Sequence, residues 1–256
     1  EIIQTSTWDI HKSIHIRGSG PNSCLKIEAD LNLEGSNQQI RIGGSPVTLT
    51  ENVSLTGFKL KHDRVGANRT LAMNIDANVK NILINTMLGE DITSDFIILR
   101  PYWFPMENVT IRNCVCTEWY ESFINFHSGR YIKNVCIQDN YGTITSAHPS
   151  TSVSRPYGLY MAVEDGAEFG VFENITWSGN QLFASFSTGQ DFINSIGVDV
   201  SGGPQNDWVL HKVSYINNVL SGFHVNRLQC RQGVYTTGKP VIVFFSGNRI
   251  IDDSNP

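Results

Sequence analysis

Glu118-Trp119-Tyr120-Glu121 is the densest mixture of carboxylates and aromatic rings in the chain. Two carboxylates held at a fixed separation can share acid–base work, one donating a proton while the other activates water or attacks. Crowding raises the pKa of one member, so that it stays protonated while its neighbour stays ionised. A pair about 5 Å apart suits glycosidic cleavage with retention, and a wider pair suits inversion. The rings of Trp119 and Tyr120 could lie against the apolar faces of a sugar.

What must position these residues is visible just upstream. Glu107-Asn108-Val109-Thr110-Ile111-Arg112-Asn113 is one copy of a phrase that recurs along the chain, a turn Asn followed by Val/Ile-x-apolar. Its anchors are residues 53, 82, 109, 135, 175, 213 and 243, spaced by 29, 27, 26, 40, 38 and 30. A second strand recurs later in each unit, as in Phe96-Ile97-Ile98-Leu99 and Phe123-Ile124-Asn125-Phe126. No helical i, i+3, i+4, i+7 spacing is sustained. Short strands at a long fixed period, none able to bury its own face, describe a solenoid. The expected fold is all-β, a single-stranded parallel β-helix of about eight or nine coils in which each strand pairs with its copy about 4.8 Å away. Two long units carry inserts, placed at roughly 146–155 and 182–195. Neither terminus shows a capping helix, so residues 1–256 are read as one β-helix domain cut from a longer chain.

The repeat fixes a register. Asp91 and Glu118 both lie nine residues past an anchor, so they should stack one coil apart, with His62 and Asp63 one coil earlier and Glu121 over Ser94. The second strands give another column of Asp76 (with a one-residue shift), Ile98, Asn125, Tyr160, Asp199 and Tyr235, with Asp199 between two tyrosines. Asp91, Glu118, Glu121 and Asp199 are therefore the candidate catalytic carboxylates. Trp119, Tyr120, His127, Tyr160 and Tyr235 are the candidate substrate contacts, His127 aligning with Arg100. The competing reading makes the acids solvated corners, the aromatics wall cover or a subunit contact, and His127 structural.

Composition narrows the rest. A net charge of −5 without a basic patch argues against nucleic acid, and no apolar run approaches the ~18 residues of a membrane-spanning helix. The five cysteines lack the paired spacing of a zinc site, and no phosphate loop, GxGxxG, GxSxG, HExxH or EF-hand pattern occurs. No metal or cofactor is expected. Cys114-Val115-Cys116 puts two thiols on one face of a strand, a poor geometry for bonding each other, so the cysteines read as small buried residues. Four Asn-x-Ser/Thr tripeptides, at Asn52, Asn68, Asn108 and Asn174, match the glycosylation pattern. Three of them are simply the corner Asn with its strand.

The Asn-Val-x-Ile phrase, with the opening Thr7-Trp8-Asp9-Ile10-His11-Lys12-Ser13-Ile14-His15-Ile16-Arg17-Gly18-Ser19-Gly20, resembles the pectate-lyase-like right-handed parallel β-helix superfamily. Within it the chain is most similar to bacteriophage tailspikes that cleave bacterial surface polysaccharide. That resemblance implies a right-handed coil, a homotrimer, a place on the virion tail, and a glycoside hydrolase working on capsule or O-antigen with an Asp/Glu pair. It supplies no motif from which a site residue can be carried over. Two alternatives remain open: a lyase of the same fold acting on uronate sugars, and a non-catalytic adhesin or receptor-binding protein, secreted or on a cell surface.

Overall fold

The computed structural model describes residues 1–27, 38–45, 47–63, 70–101, 104–127, 131–145, 157–163, 169–185, 196–202, 207–223, 225–230 and 243–251. These residues form 25 strands and no helix. The strands fall in turn into three sheets, and each pairs in parallel with the strand three places on. Sheet A holds Ile2–Ile3, Cys24–Ile27, Lys59–His62, Leu88–Ile92, Val115–Trp119, Tyr141–Ile144, Gln181–Ala184, Val219–Ser221 and Arg249–Ile251. Sheet B holds Trp8–Ile10, Gln38–Ile42, Leu71–Asp76, Ile97–Arg100, Ser122–His127, Tyr157–Val163, Ile196–Gly202 and Val225–Cys230. Sheet C holds Ile14–Arg17, Thr50–Thr56, Val79–Asn85, Met106–Arg112, Tyr131–Gln138, Phe169–Ser178, Asp207–Ile216 and Val243–Ser246. This all-parallel, helix-free arrangement is consistent with a β-helix.

Sheet C carries the repeated phrase in the register its spacing requires. Val53, Ile82, Val109, Val135, Ile175, Val213 and Val243 pair in unbroken succession. All but Val243 are buried, and Val243 is packed against the same core. Like side chains therefore stack on like along the molecule, each buried Val or Ile contributing about 2 kcal/mol of apolar burial. Further along, a ring column replaces the aliphatics. Phe126 meets Trp177 at 5.0 Å between centroids, Trp177 stacks on Tyr215 at 5.8 Å, and Tyr215 stacks on Phe245 at 5.2 Å. The second insert is shorter than its sequence suggests, because Gln181–Ala184 is a strand of sheet A paired on both sides. The first insert lies outside the described residues, as do 186–195.

The corner asparagines explain how the chain turns within sheet C. Asn52, Asn81, Asn108, Asn134 and Asn174 all have φ of 55–56°, the left-handed region that Asn tolerates better than most residues. Burial alternation breaks at each of the first four, which are exposed while the next residue points inward. Their side chains form a ladder: Asn81 Nδ2 donates to Asn52 Oδ1 at 3.1 Å, and Asn108, Asn134 and Asn174 repeat the contact at 2.9–3.0 Å. The Asn-x-Ser/Thr asparagines at 52, 108 and 174 thus belong to this ladder, and Asn68 lies outside the described residues. A second, interior ladder runs through Asn140, Asn180, Asn218 and Asn248 at 2.8–2.9 Å, each amide also donating to a carbonyl of the sheet C strand one repeat earlier.

The outward faces of two sheets differ in charge. On sheet C, Glu51, Lys80, Glu107, Lys133 and Glu173 follow one another in register with alternating sign. Lys80 and Glu107 approach to 3.9 Å, and Lys133 and Glu173 to 3.5 Å. On sheet A, the ion pairs gather at the early strands, where Glu90 takes both Lys59 (2.8 Å) and Lys61, and Lys26 takes Asp63 (3.0 Å). Those two lysines hold the Glu90 carboxyl below its usual range.

Candidate functional site

Two successive corners between sheets A and B bring the candidate acids together. The first joins Leu88–Ile92 to Ile97–Arg100 through Thr93-Ser94-Asp95-Phe96, and the second joins Val115–Trp119 to Ser122–His127 through Tyr120-Glu121. Backbone bonds lock one over the other: Tyr120 N and Glu121 N both donate to Ser94 O at 3.2 Å, and Phe96 N donates to Ser122 O at 3.0 Å. Glu121 therefore lies over Ser94, whose hydroxyl donates a short hydrogen bond to Glu121 Oε2.

The residue beside Ser94 is Asp95, and sequence reasoning passed over it. Asp95 is 3% exposed. Burial, reinforced by the nearby charge of Glu121, pushes its carboxyl up to about 7, against the pull of Ser122, Asn125 and Arg100. Asn125 Nδ2 donates to its two oxygens at 3.4 and 3.5 Å. One strand further, Tyr157 N donates to Glu121 O at 2.6 Å, and the Tyr157 ring stacks on Tyr160 at 4.4 Å. Tyr160 is the in-register neighbour of Asn125. The arrangement joins a buried acid poised near neutrality, a partly exposed carboxylate, an amide and two stacked rings. The available signal was local: Ser94-Asp95 opens a strand beside Ser122, so the register that put Ser94 under Glu121 also put Asp95 next to it.

Asp91 and Glu118 are aligned as the repeat predicts, lying between the paired residues Glu90↔Thr117 and Ile92↔Trp119. Both have positive φ, 55° and 64°. The Glu118 carboxylate reaches forward, accepting from Thr145 N at 2.9 Å and from the Thr145 hydroxyl. Its observed task is to tie one corner to the next. His62 does not join this column. It is 2% exposed and bonded to Thr93 and Gln39, and burial lowers its pKa to about 3.

The aromatic candidates divide. Trp119 is fully buried, edge-on to Phe123 at 5.3 Å, with Nε1 donating to Tyr157 O at 2.8 Å. It has no face for a sugar. The reason is the left-handed Glu118, which breaks the in–out alternation of its strand so that Cys116 and Trp119 both point inward. Tyr120 is also buried. Tyr160 is half-buried beside the pair, and Tyr235 lies outside the described residues. Asp199 is the in-register neighbour of Tyr160, and Gln229, not Tyr235, follows it. The head of that column is Asn74 rather than Asp76, because Asp76 pairs with Arg100 and holds Arg41 at 2.9 Å. His127 accepts from Arg100 Nε at 3.1 Å on Nδ1, and burial together with that guanidinium lowers its pKa to about 4. It is a neutral imidazole at physiological pH.

Among the described residues no cluster of His, Cys, Asp or Glu has a metal-holding geometry. Cys24, Cys114, Cys116 and Cys136 are free thiols, and burial pushes Cys114 up to about 12.

No protein-family model matches the chain, and no curated protein matches it. Among solved structures it is similar to the pre-mature gene product 12 of bacteriophage phi29, at 17% identity and a TM-score of 0.46. That match covers 96% of this chain and spans 37% of the phage protein's length. It is also similar to the Streptococcus pneumoniae surface protein and adhesin PfbA, at 8% identity and a TM-score of 0.26, covering 96% of this chain and 88% of that one.

Proposed function

We propose that this chain is a right-handed β-helix of the bacteriophage tailspike kind, with eight or nine coils, that binds and hydrolyses a bacterial surface polysaccharide. In this reading it works as a homotrimer on the virion tail. The observation that carries the proposal is the unequal pair at the A–B corners, a buried Asp95 whose carboxyl is held up near 7 beside a partly exposed Glu121. Two carboxylates driven apart in pKa are the requirement for glycosidic cleavage. Asp95 protonates the departing glycosidic oxygen while Glu121 attacks the anomeric carbon, and the ionised Asp95 then takes a proton from the water that hydrolyses the glycosyl–Glu121 ester. Corners one strand apart, about 4.8 Å, favour the close pairing of a retaining enzyme. Tyr157 and Tyr160 offer ring faces to the sugar, and Asn125 holds Asp95 in place. Of the four acids singled out by spacing, Glu121 keeps its role, while Asp91 and Glu118 become corner residues. Asp199 stays a candidate for the far end of the same face.

The test is release of reducing ends from a panel of capsular and O-antigen polysaccharides by the wild-type protein and by Glu121→Gln. The proposal expects shortening by the wild type, retained anomeric configuration and loss in the variant. Equal rates for the two proteins would sink it. A second reading, binding without cleavage, draws on the hydrogen bonds that already engage Glu118 with Thr145 and Glu121 with Ser94. Polysaccharide retention with no change in chain length would favour it.

A further inference from the structure

Resting on the glycan-directed reading above, we propose that the outward face of sheet A is a second, non-catalytic glycan site that selects uncharged saccharides. Between the Glu90 cluster and Arg249, four consecutive strands turn outward Val115 and Thr117, Tyr141 and Thr143, Gln181 and Phe183, and Val219, and the one charge on them is the Glu118 carboxylate at the end of the first, which is bound by Thr145. Tyr141 is 40% exposed, and its ring meets that of Phe183 across adjacent strands at 5.6 Å and 43°. Thr117 and Gln181 are exposed beside it.

Two features choose the occupant. The first is the alternation of apolar and hydrogen-bonding groups. A sugar ring has C–H faces and a hydroxyl rim, so it can lie on Tyr141 and Phe183 while Thr117, Thr143 and Gln181 take its hydroxyls. The core of a protein interface is more continuously apolar. The second is size. Four strands at about 4.8 Å and two outward residues per strand make a patch on the order of 200 Å², well under the roughly 800 Å² per partner of a stable protein interface. A patch of that size suits a short oligosaccharide. The absence of a cation on these four strands sets the selectivity, because a uronate or phosphate would have no counter-charge there. The cations that flank the face in register are Lys59 and Lys61, two strands before Val115 and both engaged by Glu90, and Arg249, beside Val219 at the opposite edge and away from the Tyr141–Phe183 ring pair.

The site differs from the Asp95–Glu121 corner in sheet and in chemistry, so the two can be separated experimentally. Short neutral gluco-, galacto- and manno-oligosaccharides, and uronate-containing ones of equal length, are titrated calorimetrically into the wild type, Tyr141→Ala, Phe183→Ala and Glu121→Gln. The proposal expects a neutral oligosaccharide to bind with an affinity unchanged between low salt and about 0.5 M. It expects roughly tenfold weakening in each aromatic variant, with full binding kept in Glu121→Gln. Cleavage of short substrates should persist in Tyr141→Ala, which tests this site apart from the catalytic reading. Unchanged affinity in both aromatic variants overturns the proposal, as does salt-sensitive binding confined to uronate oligosaccharides. So does a change in molecular mass by light scattering in Tyr141→Ala, which would make this face a contact between copies of the chain. Matching melting temperatures confirm that the surface variants are folded.

Discussion

Asp91 with Glu118 and Asp95 with Glu121 are two acidic pairings a few residues apart, the first in two neighbouring strands and the second in the corners that follow them, yet the structure gives them opposite surroundings. At the first, Glu118 projects from a left-handed corner and is held by Thr145 of the next strand. At the second, Asp95 is enclosed and cannot ionise freely beside Glu121. Register alone brings acids together. Burial decides which of them is electrostatically stressed, and stress is what distinguishes an acid suited to proton transfer from one that closes a turn.

The sharpest way to break this comparison is by rate. Asp95→Asn should lower polysaccharide cleavage by roughly 10²- to 10⁴-fold, the usual contribution of general acid catalysis. Glu118→Gln should leave the rate within a few-fold, since its amide can still accept from Thr145. Reversed effects in a reducing-end assay would exchange the roles of the two corners.

A second test contrasts the two asparagine ladders by denaturant unfolding. Asn180 is fully buried and serves Asn140, Asn218 and the Ile137 carbonyl. Asn180→Ala strands those groups and should cost on the order of 2–3 kcal/mol. Asn108 is exposed, and Asn108→Gly keeps the left-handed turn, so its loss should be under about 1 kcal/mol. Equal losses would mean that the exterior ladder carries as much of the fold as the interior one.

The third concerns pH, with signs that oppose. Asp95 has a folded pKa of about 7, above its ordinary value of 3.8. Its contribution is complete below the ordinary value and is lost as pH rises towards about 7. His62 and His127, depressed to about 3 and 4, contribute stability above their ordinary value of 6.5, and it is lost as pH falls. The wild-type curve therefore mixes both slopes. The difference between wild type and Asp95→Asn should isolate the first, falling from pH 4 towards 7 and flat above. A flat difference throughout that window would show that Asp95 ionises normally. Smallest of all, Glu118→Gln should change the melting temperature by only a degree or two, as expected for an exposed hydrogen bond worth under about 1 kcal/mol.

Sheet C was legible because a Val or Ile recurs at every turn, behind a corner Asn at five of the seven anchors, and each anchor pairs as spaced. Sheet A was not recognised as a repeat. Its inward positions run Leu25, Leu60, Gly89, Cys116, Gly142 and Leu182, a column that switches between Leu, Gly and Cys rather than keeping one type. Gly89 is small there because a Cβ would come within 2.6 Å of the Phe96 ring and 2.7 Å of Cys116 Sγ. The stacking of Asp91 with Glu118 and of Ser94 with Glu121 came directly from spacing. The inward turn of Trp119 did not, because it depends on the single left-handed residue before it, Glu118, which reverses the face of the strand at that point. Asp95 was overlooked for a related reason: counting places residues along a column, and says nothing of how deeply a corner is enclosed.

The most direct measurement is carboxyl titration by carbon-detected NMR on the wild type and Glu121→Gln. The account predicts that Asp95 titrates near 7 in the wild type and moves to lower pH once the Glu121 charge is removed. An Asp95 that titrates in the ordinary carboxylate range, or that is indifferent to Glu121→Gln, would contradict it.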